Sequence, residues 1–396
     1  MAFVAERARA AAAGMERIRR FHFASRYSER RGQPGICDFT FGNPHEMPLP
    51  GLVAALGRHA VPQRHDWFAY KATEPEPQAF LAKRLSRELD LPFEPADLAL
   101  TSGAFGAIAV AFHMLLDPGD EAVFSLPPWF CYESMLRAGS AVPVKVPLQE
   151  ETFDLDLDAI EAAIGPRTRL VIVNTPHNPT GRIYDRGHLQ DLANLLERAS
   201  RRLGHRLFIL SDEPYRRLRF DERAFTSPAA VYPWTLIAYS YGKVLLAPGQ
   251  RLGYLAIGPL MPDADRDALR ASVFGAQVGL GWAFPNALMQ HALPDLEDLS
   301  IDLDALHAKR RRVVDGLHQA GYVALEPEGT FYVFAQAPTG DEDRFWNALA
   351  DRDVFVMPGS VMEAPGWFRI CLTAEAATID RALPAFADVA AALHAA

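Results

Sequence analysis

Several large classes are excluded by what this chain has little of. It carries three cysteines in 396 residues, Cys37, Cys131 and Cys371, far apart and with no CxxC pair. That excludes a disulfide scaffold and a cysteine-rich zinc site, and it suits a reducing cytoplasm. A sustained basic run is missing: 40 Lys and Arg stand against 49 Asp and Glu, a formal net charge of −9. An acidic balance of this kind argues against nucleic acid or an anionic membrane as a partner. Long apolar runs are missing too. Within the longest stretch free of Asp, Glu, Lys and Arg, the segment Ala271 to Ala292 contains Gln277, Pro285, Asn286, His291 and three glycines, a poor bilayer helix. The first residues, MAFVAERARAAAAGMERIRRF, have no continuous apolar segment and read as a surface helix or arm rather than a secretory signal. No internal repeat stands out.

What is present is a rhythm. From about residue 97, short runs rich in Val, Ile and Leu alternate with longer amphipathic segments. The apolar runs are Ala122–Leu126, Val142–Val146, Leu170–Asn174, Leu207–Ser211, Leu236–Ser240 and Tyr254–Ile257. Uninterrupted apolar strands are those buried on both faces. Between them, Leu189, Leu192, Leu195, Leu196, Ala199 and Leu203 form a helical stripe. The alternation predicts an α/β fold, a mostly parallel sheet sandwiched by helices. After about residue 290 the pattern changes. A charged helix over Leu303–Ala320 is followed by two short strands, a helix over Glu342–Arg352, two more strands and a terminal helix, the order of a smaller α+β domain. The expected division is a large domain over 45–290 and a discontinuous small domain from 1–44, with an N-terminal arm, and 291–396.

Ligands on such a sheet bind outside the carboxyl ends of the strands, and the unusual residues sit there. Ser240-Tyr241-Gly242-Lys243 places a lysine after a buried strand with no acidic neighbour, where desolvation lowers an amine's pKa and makes it a nucleophile toward carbonyls. Eight residues on, Arg251 lies in a Pro/Gly turn suited to presenting its fork to a phosphate. Asp212 emerges from the run LFIL, a costly place for a carboxylate unless it meets a cation or proton donor; the alternative is a helix N-cap. Asn174-Thr175-Pro176-His177-Asn178-Pro179-Thr180-Gly181 is a rigid turn able to hold an Asn against a ligand, with His177 read as structural. Thr101-Ser102-Gly103-Ala104-Phe105-Gly106 opens a helix to about Leu116 whose free N–H groups suit an anion. It is neither a Walker loop nor a GxGxxG fingerprint, so it does not point to a nucleotide.

Taken in order, SGAFGA, PPWFCYE, NTPHNPTG, SDEPY, SYGK and PGQRLGY resemble the class I/II aminotransferases, pyridoxal-phosphate enzymes of fold type I, over roughly residues 35–390. The PWFCYE and NTPHNPTG stretches look closest to the branch with kynurenine, glutamine and methionine aminotransferases. The resemblance implies pyridoxal 5′-phosphate as cofactor and no metal. It implies that Lys243 forms the Schiff base and that Asp212 keeps the pyridine nitrogen protonated. Asn178 and Tyr215 would then bond the phenolic oxygen, and Trp129 would cover the ring. Gly103, Ala104, Phe105, Ser240 and Arg251 would hold the phosphate, Phe105 through its amide alone. It also implies that Arg369 grips the substrate α-carboxylate beside Gly42 and Asn178, and that Tyr70 reaches the phosphate of a neighbouring subunit in a homodimer.

Two departures stand out. Gly242 replaces the Ser or Thr usual before the lysine, and Pro75 stands where a Gly usually precedes a helix. The implied function is ping-pong transfer of an amino group from an amino acid, neutral or aromatic by the aromatic content of the site (Trp67, Phe68, Tyr70, Trp129, Tyr215), to a 2-oxo acid. The alternative is a β/γ-elimination lyase or a cyclopropane-carboxylate-synthase-like enzyme using the same carbanion. A ligand-sensing regulator would be expected to carry a DNA-binding module ahead of the fold and to lose Lys243 or Asp212.

Overall fold

The computed structural model describes residues 3–395. Eleven strands form two sheets. In chain order they are β1 (Cys37–Phe39), β2 (Leu98–Thr101), β3 (Glu121–Leu126), β4 (Val142–Pro147), β5 (Thr168–Asn174), β6 (Phe208–Asp212), β7 (Thr235–Ser240), β8 (Gly253–Ile257), β9 (Tyr332–Gln336), β10 (Val354–Pro358) and β11 (Trp367–Cys371). The large sheet runs β2-β8-β7-β6-β5-β3-β4. All six apolar runs of the sequence are strands of it. Successive residues of β7 face opposite ways: Ile237 and Tyr239 pack into one core, Leu236 and Ala238 into the other. The helices Pro75–Leu89 and Ala287–Leu296 cover the first side, and Gly103–Leu115 and Arg186–Leu203 the second. The continuous apolar runs therefore reflect burial on both faces.

β4, β3, β5, β6 and β7 are parallel, joined through helices except between β6 and β7, where a loop with the short turn Pro228–Ala230 makes the crossover, but β8 is antiparallel to both β7 and β2. Its reversal has a simple cause. Only residues 241–252 separate β7 from β8, and they hold one helical turn, Tyr241–Val244, and a Pro248–Gln250 turn, too little for the crossover that a parallel return needs. The functional consequence is large. The chain leaves β7 and re-enters β8 at the same end of the sheet, so Lys243 and Arg251 both remain at the carboxyl ends of the parallel strands. β2 ends there as well: Thr101 and Ser240 are both paired with Gly253. A Cβ on Gly253 would lie 2.3 Å from the Tyr239 carbonyl oxygen and 2.6 Å from Gly103 Cα. Glycine is what lets the start of the helix Gly103–Leu115 close on the lysine-bearing segment.

The small sheet runs β1-β10-β11-β9, with β1 parallel to β10 and the rest antiparallel. The charged helix is Leu303–Gln319 and the terminal one Ala376–His394. Of the two short strands expected between residues 320 and 340, only β9 forms; the other is reduced to the single bridge Ala324–Ala335. The first helix, Glu6–Gly14, packs on Tyr132–Ala138 beside the large sheet, where the Ser134 hydroxyl donates to the Ala11 carbonyl at 2.9 Å. Pro75 is the first residue of the helix Pro75–Leu89, a position whose N–H has no helical partner, so this departure costs the fold nothing. Among the described residues no helix is long and apolar enough to cross a membrane.

Candidate active site

A cavity of about 90 Å³ opens at the carboxyl ends of the large sheet. Ala104, Phe105, Trp129, Asn178, Asp212, Tyr215, Ser240, Lys243 and Arg251 line it, together with Ile108, Asn174 and Pro214. They come from the ends of β2, β3, β5, β6 and β7 and the segments that follow, which is why residues as distant in the chain as Ala104 and Arg251 meet.

Asp212 ends β6 rather than capping a helix. Its Oδ2 accepts from the Tyr132 hydroxyl and, at 3.4 Å, from Asn174 Nδ2, which also donates to the Asp212 carbonyl at 2.8 Å. Its Oδ1 is buried and has no partner. Burial, only partly offset by the Tyr132 hydrogen bond and by Lys243, pushes the Asp212 carboxyl up to about 7. The adjacent Glu213 turns away, accepting from the Ser211 and Ser227 hydroxyls and facing Arg216.

Lys243 Nζ lies 5.6 Å from the Tyr215 ring centroid and 5.8 Å from that of Phe331, with no carboxylate bonded to it among the described residues. Burial pulls its pKa down to about 8, against the opposing pull of Cys371 and Asp212. Tyr215 is buried, and its hydroxyl donates to that of Tyr332 at 3.3 Å. Ser240 caps the Tyr241–Val244 turn by accepting from Gly242 N. Arg251, in the left-handed region at φ 45°, donates to the carbonyls of Pro248 and Ser102, both at 2.8 Å, and its guanidinium lies over Gly103. The N-terminal amides of a 13-residue helix and one arginine thus meet at one end of the cavity, a cradle for a dianion. Trp129 stands above the floor, edge to face with Phe105 (4.8 Å) and Tyr132 (5.2 Å). The Phe105 side chain, expected to offer only its amide, also forms an apolar wall.

Arg369 adjoins the cavity through Asn178. Its Nη1 donates to Asn178 Oδ1 at 2.9 Å, its Nη2 donates to the Thr40 carbonyl at 2.8 Å, and its Cζ lies 4.0 Å from the Tyr332 ring centroid. Gly42 is close by; a Cβ there would meet the Phe331 ring at 2.7 Å and the Tyr332 hydroxyl at 2.9 Å. Not every expected residue converges. Trp67 is buried against His291, and neither Phe68 nor Tyr70 lines this cavity; Tyr70 is 87% exposed and rests on Phe284. His177 is buried, bonded to Thr180 and held neutral by burial, with its pKa pulled down to about 3.

Four contributors carry no sequence assignment: Tyr132, Asn174, Thr40 and Tyr332. Tyr132 and Asn174 fall inside quoted motifs, but only the pairing of β5 with β6 places Asn174 opposite Asp212. Thr40 acts through its carbonyl, which no side-chain pattern signals.

An amine of lowered pKa, a buried carboxylate oxygen awaiting a donor and a dianion cradle match the aldehyde, ring nitrogen and phosphate of pyridoxal 5′-phosphate. Comparison with known proteins agrees. Residues 35–386 match the family model for aminotransferase class I and II. The chain is 31% identical over 364 residues to a probable aspartate/prephenate aminotransferase of Thermus aquaticus, covering 91% of this chain and 92% of that one. It is 32% identical over 366 residues to the aspartate/prephenate aminotransferase of Thermus thermophilus, with the same coverage. Those names differ from the kynurenine, glutamine and methionine branch that two motifs resemble. Among solved structures, an amino transferase from Eubacterium rectale superposes with a TM-score of 0.87 at 29% identity, covering 94% of each chain. The Thermus thermophilus aspartate aminotransferase with maleate superposes with a TM-score of 0.83 at 27% identity, covering 98% of this chain and all of that one. The chain therefore belongs to the class I and II aminotransferases, and it is a pyridoxal-phosphate-dependent transaminase.

Proposed function

We propose that the chain moves an amino group from an amino acid with an uncharged, preferably aromatic side chain to a 2-oxo acid, in two alternating half-reactions. The observation that carries this is Arg369. Its guanidinium is 2% exposed, its hydrogen-bond partners are neutral, and its Nε has none. A buried, unpaired cation costs several kcal/mol, which a substrate α-carboxylate taken bidentately would offset. Among the described residues, the cations that line the cavity beside it are Lys243 and Arg251. The remaining wall, Phe105, Ile108, Trp129 and Pro214, is apolar. Aspartate, named in the relatives, carries a second carboxylate for which this wall offers no spare cation.

When bound, pyridoxal 5′-phosphate supplies a carbonyl that condenses with amines and a ring that takes up the electron pair left as the Cα proton departs. The chain supplies the rest. Gly103, Ala104, Phe105, Ser240 and Arg251 hold the phosphate, and Trp129 covers the ring face. Asn178 and Tyr215 bond the phenolic oxygen, while Asp212 Oδ1 holds a proton at the ring nitrogen. Asn178 and the Thr40 carbonyl orient Arg369, which fixes the substrate so that Cα faces Lys243. Lys243 Nζ, neutral in useful amounts at a pKa near 8, takes the Cα proton and later returns it.

A homodimer fits the same reading. Exposed Tyr70 rests on Phe284 at 5.0 Å, and Phe284 on Phe274 at 6.5 Å, a contiguous apolar face suited to a second copy, with Tyr70 reaching the partner's phosphate. Three buried, unbridged cysteines suit the cytoplasm.

A panel of single half-reactions tests the proposal. Holoenzyme is mixed with phenylalanine, leucine or aspartate in the absence of an acceptor, and oxo acid and ammonia are measured. Oxo acid without ammonia, formed at least tenfold faster from phenylalanine than from aspartate, is the expected result. Ammonia release would establish the elimination chemistry instead, and a preference for aspartate would refute the neutral or aromatic assignment.

A further inference from the structure

We propose that Tyr132 is a positioning residue for Asp212: its buried hydroxyl takes one carboxylate oxygen, turns the other toward the bound cofactor and keeps the group ionised. This rests on the functional reading above. The two oxygens of Asp212 are treated differently. Oδ2 is held by the Tyr132 hydroxyl, with Asn174 at 3.4 Å, whereas Oδ1 is equally buried and has nothing. A carboxylate with one oxygen anchored cannot rotate freely, so its free oxygen is held in a fixed direction, and Asp212 lines the cavity.

Tyr132 itself has little freedom. It is 2% exposed, with its ring edge-on to Trp129 at 5.2 Å and tilted against Phe124 at 5.8 Å. The helix it opens, Tyr132–Ala138, is tied down one residue later, where Glu133 bonds Lys145 at 2.6 Å and Arg137 at 2.7 Å. Lys145 in turn reaches Glu363 at 2.7 Å, beside β10 of the small sheet. The same short segment therefore carries both Trp129, which lines the cavity, and Tyr132, which holds Asp212.

Ionisation is the second part. Burial alone drives a carboxyl toward its protonated form, and a protonated Asp212 would have no use for a proton on a ring nitrogen. The charged and titratable groups around Asp212 are Tyr132, Lys243, Glu213 and Tyr215. Glu213 opposes ionisation, although Arg216 at 3.4 Å and two hydroxyls partly satisfy it from the far side. Lys243 favours ionisation only while it is charged, which is not its state as a base. Tyr215 is neutral, and its hydroxyl bonds Tyr332 rather than Asp212. Tyr132 is thus the one hydroxyl that stabilises the carboxylate throughout the cycle. Burial holds its own pKa far above the usual tyrosine value, so it remains a donor at every working pH.

The test is Tyr132→Phe, which keeps the ring and removes the donor. Three quantities are compared with wild-type holoenzyme: the acid limb of the kcat/KM pH profile, the dissociation constant of pyridoxal 5′-phosphate by equilibrium dialysis, and KM for the amino acid at the pH optimum. The acid limb should move up by about one unit and the cofactor dissociation constant rise about tenfold. KM should stay within twofold, because Arg369 is untouched. An acid limb and cofactor affinity equal to wild type would overturn the proposal. If Tyr132→Phe fails to fold, 3-fluorotyrosine at position 132, a stronger donor of nearly the same shape, decides instead. Its acid limb should move down, and an unmoved limb overturns the proposal. A wild-type chain that binds no pyridoxal phosphate would sink the functional reading as well, whereas an active wild type with an unresponsive Tyr132→Phe sinks this inference alone.

Discussion

Gly242 offers a prediction whose sign runs against family resemblance. Restoring a serine there would seem to supply a missing phosphate hydroxyl. The structure opposes it: a Cβ on Gly242 would lie 2.9 Å from Pro248 Cα and 3.4 Å from Ser240 Oγ. The first contact is with backbone, which cannot swing aside as a side-chain tip would. The backbone of Gly242 is helical, so the obstacle is space rather than conformation. Overpacking of this kind costs about 1–3 kcal/mol. At this chain length that corresponds to a fall in Tm of roughly 1–4 °C. The displaced residue is also functional, because the Pro248 carbonyl holds Arg251 Nη1 at 2.8 Å. Pushing it outward loosens one charge-assisted contact to the phosphate, about 1.5 kcal/mol, or about tenfold in cofactor affinity. Calorimetry of apoenzyme and holoenzyme, with equilibrium dialysis of pyridoxal 5′-phosphate, measures both effects for Gly242→Ser, and Gly242→Ala isolates the Cβ from the hydroxyl. A Gly242→Ser protein as stable as wild type that binds cofactor equally well or better would refute the reasoning.

Three further outcomes are expected. Arg369→Lys keeps the charge but loses the fork. With about 3–4 kcal/mol of carboxylate binding gone, kcat/KM should fall 10²–10³-fold while cofactor affinity, measured by dialysis, is unchanged. Asp212 has a folded-state pKa raised from 3.8 to about 7, so the folded apoenzyme holds this proton more tightly than the unfolded chain does. That contribution is fully present below pH 4 and is lost as pH rises through 7. Denaturant titrations should therefore show Asp212→Asn apoenzyme gaining on wild type across that window, by at most about 4 kcal/mol at pH 8, with no difference near pH 4. Asp97 is buried between Arg266 (2.8 and 2.9 Å) and Arg270 (2.7 and 3.0 Å), far from the cavity. Asp97→Ala should cost about 1–3 kcal/mol in urea unfolding by removing the acceptor that two guanidinium groups share, although both keep Glu94, with kcat unaltered.

The fold was legible wherever hydrophobic pattern and burial coincide. The apolar runs of β5, β6, β7 and β8 are strands covered on both faces, whereas β4, at the sheet edge, is only partly buried. The stripe from Leu189 to Leu203 is a helix because one side of it faces that sheet. β2 was harder to see: Leu98–Thr101 is four residues long, with nothing in its pattern to tell it from the start of the following helix. The reversed direction of β8 has no sequence signature either, since Gly-Tyr-Leu-Ala-Ile would read the same in either orientation. The strand expected near Tyr322 shrank to the single bridge Ala324–Ala335, with one backbone hydrogen bond to β9 on each side of it, from Leu325 N–H to the Phe334 carbonyl and from Gln336 N–H to the Val323 carbonyl.

By itself, the sequence determined an α/β chain with reactive residue types at strand ends, in an order resembling one enzyme family. Local chemistry sufficed for that, because apolar runs, turn residues and motif spacing are properties of neighbours along the chain. Tertiary structure alone decided which groups are charged, which are free and which way they point. Tyr132 and Asp212 are 80 residues apart, and Arg369 lies 191 residues from Asn178 and 329 from Thr40. A carboxylate with one oxygen anchored and one bare, a guanidinium buried without an acid, and a glycine that leaves room for a proline are facts about packing. They arise only when distant segments exclude water from the same small volume, where desolvation and hydrogen-bond partners, rather than residue type, set what each group can do.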